Sequence, residues 1–152
     1  MSYTNADGLR VLTNGEAGVA AQNGLNAASA KKTMTAVIDL TKGNQDLTNG
    51  EDSAIPAGSY ITAASMVVTT AAAGGTNVTV GLKTGAGGVI DADGIDATVL
   101  TAALAANKAV ACDGALVGGT DTVGADDAYL SITTTGTFSA GVFTLVIEYI
   151  EA

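Results

Sequence analysis

Residues 142–150, Val-Phe-Thr-Leu-Val-Ile-Glu-Tyr-Ile, decide the fold. Large apolar side chains occupy every second position from Phe143 to Tyr149, so one face of a strand formed here would be wholly apolar. The opposite face would be largely apolar as well, because it would carry Val142, Val146 and Ile150. A strand that is apolar on both faces is typical of the middle of a sheet or of a position covered on both sides. The stretch therefore predicts a β-protein with its last strand at the centre of a sheet.

Several shorter strands are predicted between residue 32 and this final strand. Segments with the alternation or the composition of strands are 33–40, 60–70, 78–82, 109–112 and 129–135. The Gly74-Gly75 pair lies between the second and third of these and predicts a hairpin that joins them. Short strands separated by glycine-rich turns are typical of two-layer antiparallel architectures. We therefore expect a mainly β body that folds as an antiparallel β-sandwich or jelly roll.

One segment of the body, residues 85–107, predicts a short helix instead of a strand. Val99, Leu100, Ala103 and Leu104 fall at helical spacing, and Asp96 precedes them as a candidate N-cap residue. Such a helix would span only about ten residues and would depend on tertiary contacts for its stability.

Residues 1–32 differ in composition and periodicity from the rest of the chain. They are rich in Asn, Gly and Ala, and their apolar residues follow neither the period of a strand nor that of a helix. The formal charge of -9 also divides unevenly. Residues 1–42 carry a net charge of +1, and residues 43–152 carry -10. We therefore expect two parts, an extended N-terminal arm over 1–32 and a β-sandwich domain over 33–152.

The charge and the N-terminal sequence bear on partners and location. A body this acidic repels nucleic acid and anionic membranes, because binding phosphate requires clustered Lys and Arg. The first residues hold no continuous apolar stretch of the kind an export signal needs. We therefore expect no nucleic-acid or membrane partner, and synthesis in a cytoplasm without a signal peptide.

The composition also argues against catalysis. The chain has no histidine, which removes the commonest general base and the commonest metal ligand together. Its single cysteine, Cys112, lies among apolar neighbours and has no imidazole to activate it. The glycine-rich segments lack the Lys-Ser/Thr that a phosphate-binding loop requires. We expect no enzymatic activity and no cofactor.

One acidic cluster has the character of a metal site. Asp91, Asp93 and Asp96 surround Gly94, but their spacing does not match a calcium-binding loop, which needs its glycine at the sixth position and an acid at the twelfth. The cluster is also explained by a turn followed by an acidic helix N-terminus. It therefore stands as a weak candidate for an irregular cation site.

The body resembles a known group of structural proteins. The succession Ile55-Pro56-Ala57-Gly58, Val67-Val68-Thr69-Thr70, 78–82, 123–129 and 138–149 resembles small virion proteins of tailed bacteriophages, most of all head decoration or cement proteins. The resemblance spans roughly residues 33 to 150 and leaves the arm unmatched. It implies a β-sandwich body, an oligomer on the outer capsid surface, and no enzymatic role.

On this resemblance the chain is expected to decorate and stabilise a phage capsid at the virion surface. The partners it implies are the major capsid protein and further copies of the same chain, with a trimer as one candidate because rings close by rotation. We expect the arm to make the contacts with capsid or neighbouring subunit. The candidate contact residues are Tyr3, Arg10, Leu12, Lys31 and Lys32.

The principal alternative is a receptor- or glycan-binding module of a phage head or tail fibre. Such a module would need a cluster of exposed aromatic side chains. The chain offers Tyr3, Tyr60, Tyr129 and Tyr149, two of them in predicted core strands.

Overall fold

The computed structural model describes residues 31–47 and 54–151, together with two short strands nearer the N-terminus. These strands, β1 (Ser2–Thr4) and β2 (Arg10–Leu12), pair with each other in antiparallel fashion. The sequence pattern gave no sign of this pairing within the expected arm, and the rest of residues 1–30 lies outside the described part. The chain divides into two compact units, Met1–Ala30 and Lys31–Ala152, and we call the second one the body.

The described part of the body forms two antiparallel sheets. The four-stranded sheet has the order β3, β11, β6, β9, and the five-stranded sheet has the order β4, β10, β7, β8, with β5 also paired to β10. The strands are β3 (Lys32–Asp39), β4 (Gln45–Asp46), β5 (Ala54–Ile55), β6 (Tyr60–Gly74), β7 (Asn77–Thr84), β8 (Val89–Leu100), β9 (Ala109–Ala111), β10 (Ala128–Thr135) and β11 (Phe138–Ile150). Two 3₁₀ turns, Leu40–Lys42 and Thr101–Ala103, follow β3 and β8.

Strand β11 lies between β3 and β6, which confirms the central position predicted for it. Phe143, Leu145 and Ile147 are at most 1% exposed, and the residues between them are half-buried. The pattern arises because one face of the strand packs on the core while the other is partly covered. Each fully buried side chain of this kind contributes roughly 1.5–3 kcal/mol.

The buried apolar residues of the two sheets belong to one core. Ile38, Met66 and Leu145 of the four-stranded sheet are fully buried, as are Leu82 and Ile132 of the five-stranded sheet. With two Phe and no Trp in the chain, most of the core is filled by aliphatic side chains.

The hairpin predicted across Gly74-Gly75 is wrong. Strand β6 belongs to the four-stranded sheet and β7 to the five-stranded sheet, so this turn carries the chain from one sheet to the other. The link from β10 to β11 crosses back beside it, and Gly75 N and Thr76 N donate to the carbonyl oxygens of Thr137 and Thr135 at 2.8 Å and 2.7 Å. The real hairpin joins β7 to β8 through residues 85–88, closed by Thr84 N donating to Gly88 O at 2.7 Å.

The short helix predicted within 85–107 is also wrong. Residues Val89–Leu100 form strand β8, and only the 3₁₀ turn Thr101–Ala103 follows it. Val99 and Leu104 are buried as the helical spacing required, but Leu100 is 56% exposed. A segment this short has too little intrinsic helical stability to compete with pairing to β7.

Candidate functional site

The start of the body is tied to its last strand by two ion pairs. Antiparallel pairing of β3 with β11 places Lys32 opposite Tyr149, so the first residues of the body meet the end of β11. Lys31 Nζ lies 2.6 Å from Glu148 Oε2, and Lys32 Nζ lies 2.6 Å from Glu151 Oε1. The hydrogen bond to Glu151 raises the pKa of the Lys32 ammonium. We call these four side chains the junction cluster.

The junction cluster concerns two of the residues predicted to contact a capsid or subunit. The Lys31 and Lys32 side chains are 52% and 42% exposed, so they are accessible although both already bind acids of their own body. Exposed ion pairs contribute little to the free energy of unfolding. Their consequence is local, because they hold the first two residues of the body beside the end of β11.

The other three predicted contact residues lie on the β1–β2 pair. Tyr3 is opposite Val11, Thr4 is opposite Arg10, and Leu12 is opposite Ser2. The pairing therefore brings the backbones of Tyr3, Arg10 and Leu12 onto one two-stranded ribbon. Their side chains lie outside the described part of the structure.

The acidic candidates Asp91, Asp93 and Asp96 all lie on β8 and do not converge. Asp91 Oδ1 accepts from the backbone N–H of Asp93, and Asp96 Oδ1 accepts from that of Thr98, each at 3.3 Å. Their register opposite β7 differs as well, since Asp91 pairs with Leu82 and Asp96 with Val80. Within residues 31–47 and 54–151, no three acidic, cysteine or histidine side chains are grouped to hold a metal ion.

Asp96 instead lines an open cavity of about 280 Å³ beside β8 and β9. Its lining comes from the end of β8, the second 3₁₀ turn and the residues around β9, namely Asp96, Thr98, Val99, Leu100, Ala103, Val110, Ala111 and Asp113. The cavity thus combines an apolar wall with two carboxylates, Asp96 from β8 and Asp113 from the loop that follows β9.

Burial controls the protonation of the groups around this cavity. Asp96 is only 5% exposed, and burial, with a smaller contribution from the charge of Asp113, raises its pKa. The neighbouring Cys112 thiol is buried, and burial together with the two carboxylates raises its pKa to about 12. The thiol is therefore protonated at neutral pH and is a poor nucleophile.

The raised pKa of Asp96 makes stability depend on pH in a defined direction. A carboxyl group that ionises less readily when folded opposes folding above its folded pKa, and this effect fades as the pH falls. We expect Asp96→Asn to raise the Tm at pH 7, with the difference from the unmodified protein shrinking toward pH 4. Asp93→Asn, at an exposed position on the same strand, is the matched control for the change in net charge. Equal shifts in the two variants at every pH would contradict the role given to burial.

The described tyrosines do not form a shared aromatic platform. Tyr60 is 40% exposed at the start of β6, Tyr149 is buried under the four-stranded sheet, and Tyr129 lies half-buried in the five-stranded sheet. Their placement on different sheets and faces gives the glycan-binding alternative no specific support.

One polar network was missed by sequence reasoning. Lys83 Nζ and Ser131 Oγ donate to the carboxylate of Asp46, to Oδ2 at 2.8 Å and to Oδ1 at 2.6 Å, and these bonds lower the pKa of Asp46. The three residues come from β4, β7 and β10, so no local pattern could have indicated their meeting. The network holds the two-residue strand β4 at the edge of its sheet.

Comparison with protein-family models, with curated proteins and with solved structures found no match for this chain. A search of the described residues found no helix with the length and apolar character needed to cross a membrane.

Proposed function

We propose that this chain is a structural virion protein that decorates and stabilises the outer surface of a phage capsid. In this proposal the two sheets pack face to face as a sandwich of jelly-roll type, and an arm formed by the N-terminal residues, which include the β1–β2 pair, anchors the body. The partners are the major capsid protein and further copies of the chain, and the role requires no enzymatic step. The support from the sequence is the resemblance of residues 33–150 to head decoration proteins.

The observation that carries the proposal is the division of the chain at Ala30 and Lys31 together with the junction cluster. The body has a core of its own, and its first two residues pair with acids at the end of β11 at 2.6 Å. A segment that starts at a defined place on a folded body suits anchoring, because only the segment has to adapt to the capsid surface. Many copies bound in this way would stabilise a shell by mass action.

Charge supports a protein partner in preference to nucleic acid. Beyond Lys42 the chain carries -10, and exposed acids such as Asp113, Asp121 and Asp126 belong to this part. An anionic surface of this kind repels phosphate and keeps unbound copies soluble. The N-terminal residues, which are close to neutral, are free of that repulsion.

Alanine at Tyr3, Arg10 and Leu12 together tests the anchoring role. We expect the full-length protein to co-sediment saturably with purified capsids of the virus that encodes it. The triple variant should bind at least about tenfold more weakly, since a few anchor residues usually carry most of the binding energy. Its thermal unfolding should match that of the unmodified protein, because the body contains its own core.

The matched control replaces Val89, Leu100 and Thr133, three exposed residues of the body, by alanine and should leave binding unchanged. Full occupancy by the triple arm variant would show that the arm does not anchor the protein. Failure of the unmodified protein to bind capsids at all would contradict the proposed function itself.

A further inference from the structure

Three of the four sheet edges formed by the described strands of the body are protected against strand addition. Strand β9 has three residues, and β4 and β5 have two residues each. Strand β8 has twelve, but its register with β7 shifts at three points. Short and irregular edges are the means by which natural β-proteins avoid pairing with other chains.

The fourth edge, β3, is neither short nor irregular. Its eight residues pair with β11 at eight consecutive positions without a register shift, and they include no proline. Among the described strands β3 pairs with β11 alone. Thr33, Thr35 and Val37 on its outer face are exposed, Val37 to 71%. A long, regular strand that has no partner along one side in the described part of the structure is a template for another strand.

We propose that the β3 edge binds the β3 edge of a second copy of this chain, in antiparallel orientation about a twofold axis. The two four-stranded sheets would then form one continuous sheet of eight strands. The inference concerns the free protein and does not rest on capsid binding. A twofold pair also differs from the trimer that capsid symmetry suggests, so the two assemblies are separable by mass.

The pleat of the strand limits the possible registers. In β3, Met34 and Ile38 face the core while Thr35 and Val37 face outward. For the two sheets to continue into each other, residues paired between the two copies must lie on the same face of the joined sheet. A twofold axis must therefore pass through a residue and not between two. An axis at Thr35 places Thr33 opposite Val37 of the second copy, and Met34 opposite its Ala36.

Charge selects this register over its neighbours. With the axis at Thr35, Lys31 of each copy lies opposite Asp39 of the other. An axis at Ala36 would place Thr33 opposite Asp39 and would lose both charge pairs. The Asp39 carboxylate accepts hydrogen bonds from the Thr41 hydroxyl and backbone N–H, at 2.6 Å and 3.0 Å, and they lower its pKa. It is therefore an anion at neutral pH.

The same charges explain how an acidic protein could associate here. Each copy carries -9, so contact between most surfaces would bring like charges together. The segment 31–39 differs in that it holds Lys31 and Lys32 at one end and the single acid Asp39 at the other, although Glu148 and Glu151 of the same copy also pair with the two lysines. Opposite charges therefore meet at both ends of the proposed interface.

A charge exchange at the twofold position tests the proposal. Sedimentation equilibrium of the full-length protein over a concentration series should give a monomer–dimer equilibrium. Thr35→Lys and Thr35→Glu each place like charges opposite one another, and each should raise the dimer Kd roughly fivefold or more. An equimolar mixture of the two variants should recover dimers, because Lys then faces Glu.

The control is Thr133→Lys, which places the same charge on an exposed threonine of the five-stranded sheet and should leave the Kd unchanged. Hydrogen exchange of the unmodified protein gives a measurement without variants, and the β3 amides should become more protected as concentration rises. A monomer at all concentrations, a trimer, an unchanged Kd for both Thr35 variants, or the absence of recovery on mixing would each overturn the proposal.

Discussion

Replacing Gly74 by alanine should lower the free energy of unfolding by about 3 kcal/mol, from the combined cost of left-handed backbone and steric overlap. Gly74 ends β6 at the point where the chain leaves the four-stranded sheet, and its φ is 70°. A Cβ at this position would lie 2.6 Å from the carbonyl oxygen of Thr137 and 3.2 Å from the amide nitrogen of Ser139. Both are backbone atoms, one in the β10–β11 link and one at the start of β11, so neither can move away alone.

Gly87→Ala is the matched control for this substitution. Gly87 has a φ of 88° in the β7–β8 turn, but a Cβ there would meet nothing within 4 Å. It should therefore cost only the backbone strain, about 1 kcal/mol. Urea unfolding of the two variants measures the difference. Equal losses would show that the two crossings do not approach each other as closely as described.

Phe143→Ala should lower the free energy of unfolding by about 3–5 kcal/mol. Phe143 is 1% exposed, and its strand neighbours are Ile38 in β3 and Val68 in β6, which are also buried. Removing the ring leaves a cavity under the middle of the sheet, since the flanking strands cannot close over it without losing their pairing. Urea unfolding should show the loss as a lower midpoint with an unchanged slope.

The adjacent variant Thr144→Ala provides the comparison. Thr144 lies on the other face of β11 and is half-buried, so its replacement should cost less than about 1 kcal/mol. Similar losses for the two variants would contradict the assignment of the inner and outer faces of the central strand.

Patterns of period two were enough to predict the mainly β character and the central place of β11. Residues 142–150 are apolar on both faces, and only an interior strand satisfies both faces at once. Met34 and Ile38 likewise alternate with exposed neighbours in β3. The alternation of apolar residues is a property of each strand by itself, so it predicts the strand whatever the order in which the strands pair.

The connections between strands could not be predicted in the same way. A glycine pair such as Gly74-Gly75 permits a tight change of direction, but it does not specify which sheet receives the next strand. The choice depends on pairing with β10 and β11, more than 50 residues further along the chain. The same non-local pairing turned Val89–Leu100 into a strand in spite of the helical spacing around Val99.

In the candidate site, too, the contacts depend on pairing between residues that are distant in sequence. Lys31 and Lys32 were predicted as contact residues, but the acids that they meet, Glu148 and Glu151, lie more than 110 residues away in sequence and approach them only through the β3–β11 register. Asp91, Asp93 and Asp96 are close in sequence, and a strand then separates their carboxylates. Proximity along the chain was therefore a poor guide to which charged groups meet.

Cryo-electron microscopy of intact particles of the virus that encodes this chain tests the central claim most directly. The account predicts density for the β body at symmetry-related positions on the outer capsid surface, with the N-terminal segment running from the junction cluster toward the major capsid protein. Particles whose outer surface carries no such density, or density for this chain confined to a tail or head fibre, would contradict it.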